Sequence, residues 1–533
     1  MSEANPRPAV GASRAAGWWL HPLLVAAFPV VFLFAANIRE QLSLQPLWLP
    51  LGIVLGAAAA TLSVAVGVGR VVGAGPGRAA LAASLLILLS LTYGHAWNLV
   101  GEPAGMHSVL LVAWGALAIG GLVAIARLGS PGVRRLTTAV NVAAGILVAV
   151  NVVPIGELAV RTVSGEGPTT AGRGERGEAP PGATRDVWYL VFDRYAGSPA
   201  LDELFGFDNG PFLDALRDRG FRVGEGATAN YLKTAHSLAS SLSMEELDAD
   251  ALAAEASAPD DWAPLYRRLQ AGHAVERFLH ERGYRYLHLG LRRGATYFNG
   301  AADVNFLLGD TTEFSAVLAD TTILIALRQQ LHEGLPPGSE MYAEQTLFQL
   351  SELERIADAP GLNFVFAHVL LPHPPYAFNA DGSRTTPEQR ASRTDAEEYL
   401  EQLRYANDRI LGLLDRLQAG PPSSWPIVVL AADEGPFPER YARDEAGFAW
   451  LEATPEELLR KFSILTAVSV PGVDPAALDA AGFSDRITPV NLFRVAFNAA
   501  FDAGLPILPD RNWVFVDQRH LYDLVEVTER VRP

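Results

Sequence analysis

Val-Trp-Tyr-Leu-Val-Phe-Asp, running from Val187 to Asp193, is the stretch that decides the fold. Six apolar residues without polar alternation suit a strand covered on both faces, as in a mostly parallel sheet. The carboxylate closing the run then falls at the carboxyl edge, where open α/β sheets hold their ligands. Asn363–Val369 and Ile427–Ala431 have the same apolar character. Helical periodicity marks Pro211–Arg219, Ala396–Gln418 and Pro489–Phe501. Strand and helix patterns therefore alternate after Asp186, which predicts an α/β domain over 186–533.

Upstream of that domain, Arg161 to Arg185 is rich in Gly, Pro and charge. It holds too little apolar surface to order itself, so 158–185 reads as a flexible tether. The first third of the chain has a different character. Five apolar stretches, near Trp18–Ala36, Leu47–Val68, Ala79–Trp97, Val109–Ile125 and Leu136–Val153, approach the roughly 20 residues that a membrane-spanning helix needs. Trp18, Trp19, Trp48 and Trp97 fall at their ends, where indole rings favour the membrane–water interface. A signal peptide accounts for one such segment only, so 1–157 reads as a five-helix transmembrane bundle.

The arginines orient that bundle. Arg7 and Arg14 precede the first segment, Arg70 and Arg78 follow the second, and Arg127, Arg134 and Arg135 follow the fourth. The alternate loops carry Arg39 beside Glu40, and Glu102. The positive-inside rule puts the N-terminus in the cytoplasm, and five crossings put the α/β domain outside. His95 and Asn151 are polar residues near the ends of these segments and receive no role.

A formal net charge of −17 excludes a broad basic face for nucleic acid. The chain has no cysteine, so disulfides and thiolate metal sites are excluded.

Three places carry chemistry. Asp193 ends the first strand, where it can ligate a cation or simply cap the next turn. Asn-Tyr-Leu-Lys-Thr-Ala-His-Ser-Leu-Ala-Ser-Ser-Leu-Ser-Met, Asn230 to Met244, puts Thr234 at the start of a helix expected over Ala235–Leu247. Free N–H groups and the helix dipole stabilise an anion there, although threonine is also a common cap. Ala-Ala-Asp-Glu-Gly, Ala431 to Gly435, ends the third strand with Asp433 and Glu434.

This order of strand-end Asp, helix-opening Thr and strand-end acidic pair resembles the alkaline phosphatase and sulfatase superfamily. The resemblance implies a three-layer αβα domain with a mostly parallel central sheet. It makes Thr234 the nucleophile, and Asp193, Thr234, Asp433 and Glu434 the metal ligands. Glu434 stands where that superfamily usually has histidine. The resulting all-oxygen shell suits one hard divalent cation, Mn, Mg or Ca, better than Zn. Arg194, Lys233 and Lys461 are the cations available to offset three carboxylates and bind substrate. Phe-Ala-His-Val-Leu-Leu-Pro-His-Pro-Pro-Tyr, Phe366 to Tyr376, resembles a family segment whose second histidine faces substrate. That assigns His373 to the catalytic group and leaves His368 as a core histidine. His236, two residues past Thr234, is a remote substitute for the missing nitrogen ligand.

Five crossings with an outward domain look like lipoteichoic acid synthases and lipid A phosphoethanolamine transferases of bacterial inner membranes. The resemblance implies a phosphotransferase or phosphodiesterase drawing on a membrane phospholipid or lipid-linked donor, with a glycan or water as acceptor. Two alternatives are a sulfatase-type ester hydrolase and a catalytically impaired envelope scaffold. Sulfatases convert a Cys or Ser to an aldehyde nucleophile, and Thr234 cannot undergo that conversion.

Overall fold

The computed structural model describes residues 17–38, 44–100, 106–163, 185–292, 294–308, 318–326, 339–359 and 361–532. It divides into two compact units, Met1–Ser164 with Thr311–Glu333, and Gly165–Asp310 with Gly334–Pro533.

The first unit holds helices α1 (Leu20–Ala36), α2 (Gln45–Val71), α3 (Pro76–Val100), α4 (Met106–Arg127) and α5 (Ser130–Val163). Four of them contain spans long and apolar enough to cross a membrane: Pro46–Val71, Pro76–Trp97, Ser108–Arg127 and Ser130–Val160. The first helix, α1, has 17 residues. At 1.5 Å per residue it reaches about 26 Å, short of the roughly 30 Å hydrocarbon core. The five expected crossings are thus four full-length spans and one shorter apolar helix. His21 of α1 and Ser84 of α3 meet inside the bundle, Nδ1 to Oγ 2.6 Å. Asn151 satisfies its side chain within α5 by donating to Leu147 O at 2.8 Å.

Of the tether expected over 158–185, the part up to Val163 continues α5. The rest of it, 164–184, lies outside the described residues, as do Arg7, Arg14, Arg39, Glu40 and Glu102.

Residues 318–326 lie, in chain order, within the stretch read as catalytic domain, yet they pack in the first unit. Leu318 joins the core of Val30, Val31, Phe34, Leu47 and Ile155, while Ile325 and Ala326 join Tyr93, Trp97 and Leu110. The backbone of this segment bonds directly to α3. Gly94 N–H donates to Thr321 O at 2.9 Å, and Ile323 N–H donates to Ser90 O at 2.8 Å.

The second unit is built on a seven-stranded mixed sheet of order β2-β7-β6-β1-β5-β3-β4. Its strands are β1 (Val187–Phe192), β2 (Arg222–Val223), β3 (Arg285–Leu289), β4 (Val304–Asn305), β5 (Asn363–Val369), β6 (Ile427–Ala431) and β7 (Thr466–Ser469). The run β6-β1-β5-β3-β4 is parallel, and β7 and β2 are antiparallel additions at one edge. Every residue of β1, β5 and β6 is buried. Side chains alternate between faces, so both faces are covered. Each fully buried Val, Leu or Phe contributes about 1.5–3 kcal/mol, which makes this central trio the rigid part of the unit. On one face, Tyr189 of β1 stacks edge-on to Phe493 in the helix Pro489–Phe501 (centroids 5.0 Å apart) and bonds Ser241 Oγ at 3.1 Å.

The helix after Lys233 spans Thr234–Ser243, shorter than the Ala235–Leu247 expected. It stops because Met244 takes a left-handed conformation at φ 55°. The Arg494 guanidinium, donating from Nε at 2.8 Å, holds the Met244 carbonyl.

Candidate active site and metal centre

Strand register assembles the site. The central strand β1 lies between β5 and β6, with Val191 opposite both His368 and Ala431. Two residues further along β1 comes Asp193, and two further along β6 comes Asp433. Asp193 is anchored by its N–H donating to Val369 O at 2.9 Å. Three adjacent strands thus deliver Asp193, His368 and Asp433 to one spot, with donor atoms all within 4.8 Å of one another. His368 Nε2 lies 3.4 Å from Asp193 Oδ2 and 3.8 Å from Asp433 Oδ2.

These three side chains are buried, and Asp193 Oδ1, His368 Nε2 and Asp433 Oδ2 have no hydrogen-bond partner. Unsatisfied polar atoms are costly in an interior, and three converging ones are what a bound cation satisfies. The group therefore fits a single divalent ion. It also corrects two readings of the sequence. His368 is not a satisfied core histidine, since its Nε2 faces two carboxylates. The converging donor atoms are not all oxygen either, because the His368 imidazole is among them.

Charge separation follows from burial and proximity. Burial pushes the Asp193 carboxyl up, but the neighbouring His373 and His368 rings and the Arg194 charge outweigh it and hold the group well below the usual carboxylate range. Asp433 goes the other way, pushed up to about 7 by burial and by the charges of Asp193 and Glu434. Burial would lower His368, yet Asp193, Asp433 and Glu434 overcome it and raise its pKa.

Thr234 is the first residue of its helix, and its hydroxyl acts on Asp433, favouring the charged form. Lys233 holds the N-cap position, and no side chain caps this helix. The capping explanation for Thr234 therefore does not hold. The first intrahelical bond, Ser237 N–H to Lys233 O at 3.0 Å, leaves the preceding N–H groups of the first turn for an anion.

Glu434, expected as a ligand, is not in that converging group and is paired with cations. Its Oε1 sits 3.0 Å from Lys461 Nζ and 3.5 Å from Arg194 Nε, while Oε2 has no partner. Lys461 is fully buried beneath the Phe437 ring (3.5 Å to the centroid) and also donates to Gly435 O at 2.9 Å. Of the three cations expected to bind substrate, it is thus the one held deepest, against Glu434. Burial lowers its pKa to about 7 despite Glu434. Arg194, at φ 60°, and Lys233 lie over the same ring at 4.2 and 4.3 Å. Lys233 is also paired with Glu445 at 3.0 Å.

A cavity of about 230 Å³ opens onto this group, lined at its polar end by Asp193, Arg194, Lys233, Thr234, His368, His373 and Glu434. Trp262, Tyr266, Tyr342 and Phe437 form an aromatic wall that no sequence motif announced. His373 is half-buried, with Nδ1 against the Pro374 carbonyl. A carbonyl only accepts, so Nδ1 carries the proton and Nε2 is left as an acceptor. Burial and the Arg194 charge push His373 down to about 3, which keeps it neutral. His236 is absent from the site; its Nε2 bonds Leu521 O at 3.0 Å among Tyr231, Trp262 and Phe515.

No protein-family model and no curated protein sequence matches this chain. Solved structures similar to it include the C-terminal periplasmic domain of EptC from Escherichia coli, at 13% identity and TM-score 0.40, covering 64% of this chain and 92% of that one. The integral membrane lipooligosaccharide phosphoethanolamine transferase EptA from Neisseria meningitidis is similar at 12% identity and TM-score 0.32, over 90% of this chain and 94% of that one. The phosphonate monoester hydrolase of Agrobacterium radiobacter is similar at 12% identity and TM-score 0.36, over 62% and 75%.

Proposed function

We propose that this chain is a membrane-anchored, metal-dependent phosphoryl-transfer enzyme of the alkaline phosphatase type, with Thr234 as nucleophile and a lipid-linked phosphodiester as donor. One observation carries this reading. Buried donor atoms of Asp193, His368 and Asp433 converge without hydrogen-bond partners beside a helix-opening hydroxyl that caps nothing.

Asp193, His368 and Asp433 would hold the ion; a divalent cation there lowers a hydroxyl pKa and offsets charge on phosphoryl oxygens. A nitrogen donor with two carboxylates admits Zn or Mn and removes the reason for preferring Mg or Ca. In the first step Thr234 Oγ1 bonds to phosphorus as the phosphorus–oxygen bond to the lipid breaks. The proton lost by the hydroxyl ends on the departing lipid oxygen, which leaves as an alcohol. Arg194 and Lys233 and the first-turn N–H groups hold the phosphoryl oxygens. In the second step an acceptor hydroxyl, from a glycan or water, attacks the phosphothreonine. Its proton passes to His373 Nε2, which returns it to Thr234 Oγ1 as the bond from that oxygen to phosphorus breaks, so that both residues are restored. The neutral tautomer, with Nε2 left as an acceptor, makes His373 a base in this step.

The membrane unit supports a lipid donor, since it holds the enzyme at the surface where such a donor is concentrated. The arginine distribution supports an α/β unit outside the cytoplasm. The test is mass spectrometry of the full chain after incubation with mixed phospholipids. A head-group phosphate on Thr234, absent from Thr234→Ala, is the expected result. Turnover by Thr234→Ala at the wild-type rate overturns the assignment.

A further inference from the structure

Thr296 lies between β3 and β4, far from every motif in the sequence, and is 2% exposed. Its Oγ1 is 3.0 Å from His368 Nδ1, on the far side of the imidazole from Asp193 and Asp433. We propose that Thr296 is a positioning residue that fixes the tautomer and ring plane of His368, so that Nε2 presents a lone pair to the cation. This rests on the metal site proposed above.

The chemistry leaves one consistent assignment. A histidine that ligates through Nε2 must carry its proton on Nδ1, and that proton needs an acceptor. Thr296 Oγ1 is the acceptor in reach. The same oxygen faces the Leu291 N–H at 3.4 Å, so its hydrogen-bonding position is set from two directions.

Thr296 is itself held in place. Its carbonyl accepts from His288 Nε2 at 2.8 Å. That bond leaves His288 Nδ1 to meet Tyr286 Oη at 2.9 Å, and Tyr286 in turn faces His273 Nε2 at 3.4 Å. A buried run of polar groups therefore backs Thr296 from the core of the sheet. Gly290 is part of the same device, because a Cβ there would sit 1.5 Å from Thr296 O. From the opposite side, Gln349 Nε2 donates to His368 O at 2.7 Å and to Gly290 O at 3.0 Å, tying the ends of β5 and β3 together. Nothing in this run other than Thr296 touches the histidine ring by hydrogen bond among the described residues.

The experiment is a metal titration of the detergent-solubilised full chain with Zn²⁺ and with Mn²⁺, by competition against a chromogenic chelator. Thr296→Val keeps the shape and removes the acceptor. Its affinity for the ion should fall about 10- to 100-fold, the usual scale for losing such a partner. Thr296→Ser, which keeps the hydroxyl, should restore affinity to within about threefold of wild type. Should the valine variant fail to fold, Thr296→Ala against Thr296→Ser makes the same comparison. Equal affinities of the hydroxyl-bearing and hydroxyl-lacking variants overturn the proposal while leaving the metal site standing. Wild-type protein that binds neither ion overturns the metal site itself, and with it this role.

Discussion

Lys461 sets its ammonium 3.0 Å from Glu434 Oε1 where the two side chains are only 0% and 2% exposed. The pair explains how the chain tolerates a glutamate where the resemblance led us to expect histidine. Its negative charge is met by Lys461 and Arg194, both within ion-pair distance of Oε1. Breaking one partner of a buried pair strands the other charge, at a cost of about 3–5 kcal/mol. Lys461→Met should therefore lower the melting temperature sharply, and the double variant with Glu434→Gln should regain much of the loss. A single variant as stable as wild type would show that Glu434 is compensated elsewhere.

Thr234 offers the cleanest separation of chemistry from folding. Threonine is a poorer helix former than alanine by a few tenths of a kcal/mol, and this one caps no helix. Thr234→Ala should melt at or slightly above the wild-type temperature while losing phosphoryl transfer. Thr234→Ser should keep part of the activity. An alanine variant that is inactive only because it unfolds would return Thr234 to a structural role.

Metal affinity should rise with pH. His368 must be deprotonated to ligate and its pKa is raised, and Asp433 must be ionised although its pKa is pushed up to about 7. Protons therefore compete with the ion across the neutral range, and affinity should climb between about pH 5.5 and pH 8. His368→Ala should weaken binding more than Glu434→Gln, since Glu434 is already paired. The reverse order in a titration would make Glu434 the ligand.

Asp186 tests the electrostatics away from the site. Its buried carboxyl accepts from Asn363 N–H at 2.8 Å, and burial pushes its pKa up to about 6. A carboxyl raised in the folded state contributes stability that is present below about pH 4 and lost as pH rises through about 6. Asp186→Asn keeps an acceptor and removes the charge. It should gain about 1–2 kcal/mol over wild type at pH 8 and little at pH 4.5. The same gain at both pH values would point to packing instead.

The central strands were legible because full burial on both faces writes itself as an unbroken apolar run. Val187–Phe192, Asn363–Val369 and Ile427–Ala431 are strands over those bounds. Arg285–Leu289 was not legible, because a charged residue and the buried His288 interrupt the pattern. The two-residue strands are too short to carry any. The helix end at Ser243 depends on Arg494, a partner 250 positions away that no local signal reveals. Asp193, Thr234 and Asp433 stand out at strand ends and a helix start. His368 was concealed by its apolar neighbours, and only the register of β5 against β1, which pairs it with Val191, brings its ring within reach of the carboxylates. Thr296 has no motif at all; its place is set by Gly290 and His288.

The segment 318–326 gives the last prediction. Its backbone lies so close to α3 that a Cβ on Gly94 would fall 2.0 Å from Asp320 O and 2.6 Å from Thr321 Cα. Small residues allow such close approach between backbones in membrane helices. Any larger residue must push the segment away, breaking the bonds from Gly94 N–H to Thr321 O and from Ile323 N–H to Ser90 O. Leu318, 5% exposed in its apolar cluster, would then be released. The chain has no cysteine, so Leu318→Cys introduces a single thiol. That thiol should resist a maleimide in otherwise wild-type protein and react at least about tenfold faster when Gly94→Val is added, following the population of the displaced state. Equal labelling in both backgrounds would mean that the segment does not depend on Gly94 for its place in the membrane unit.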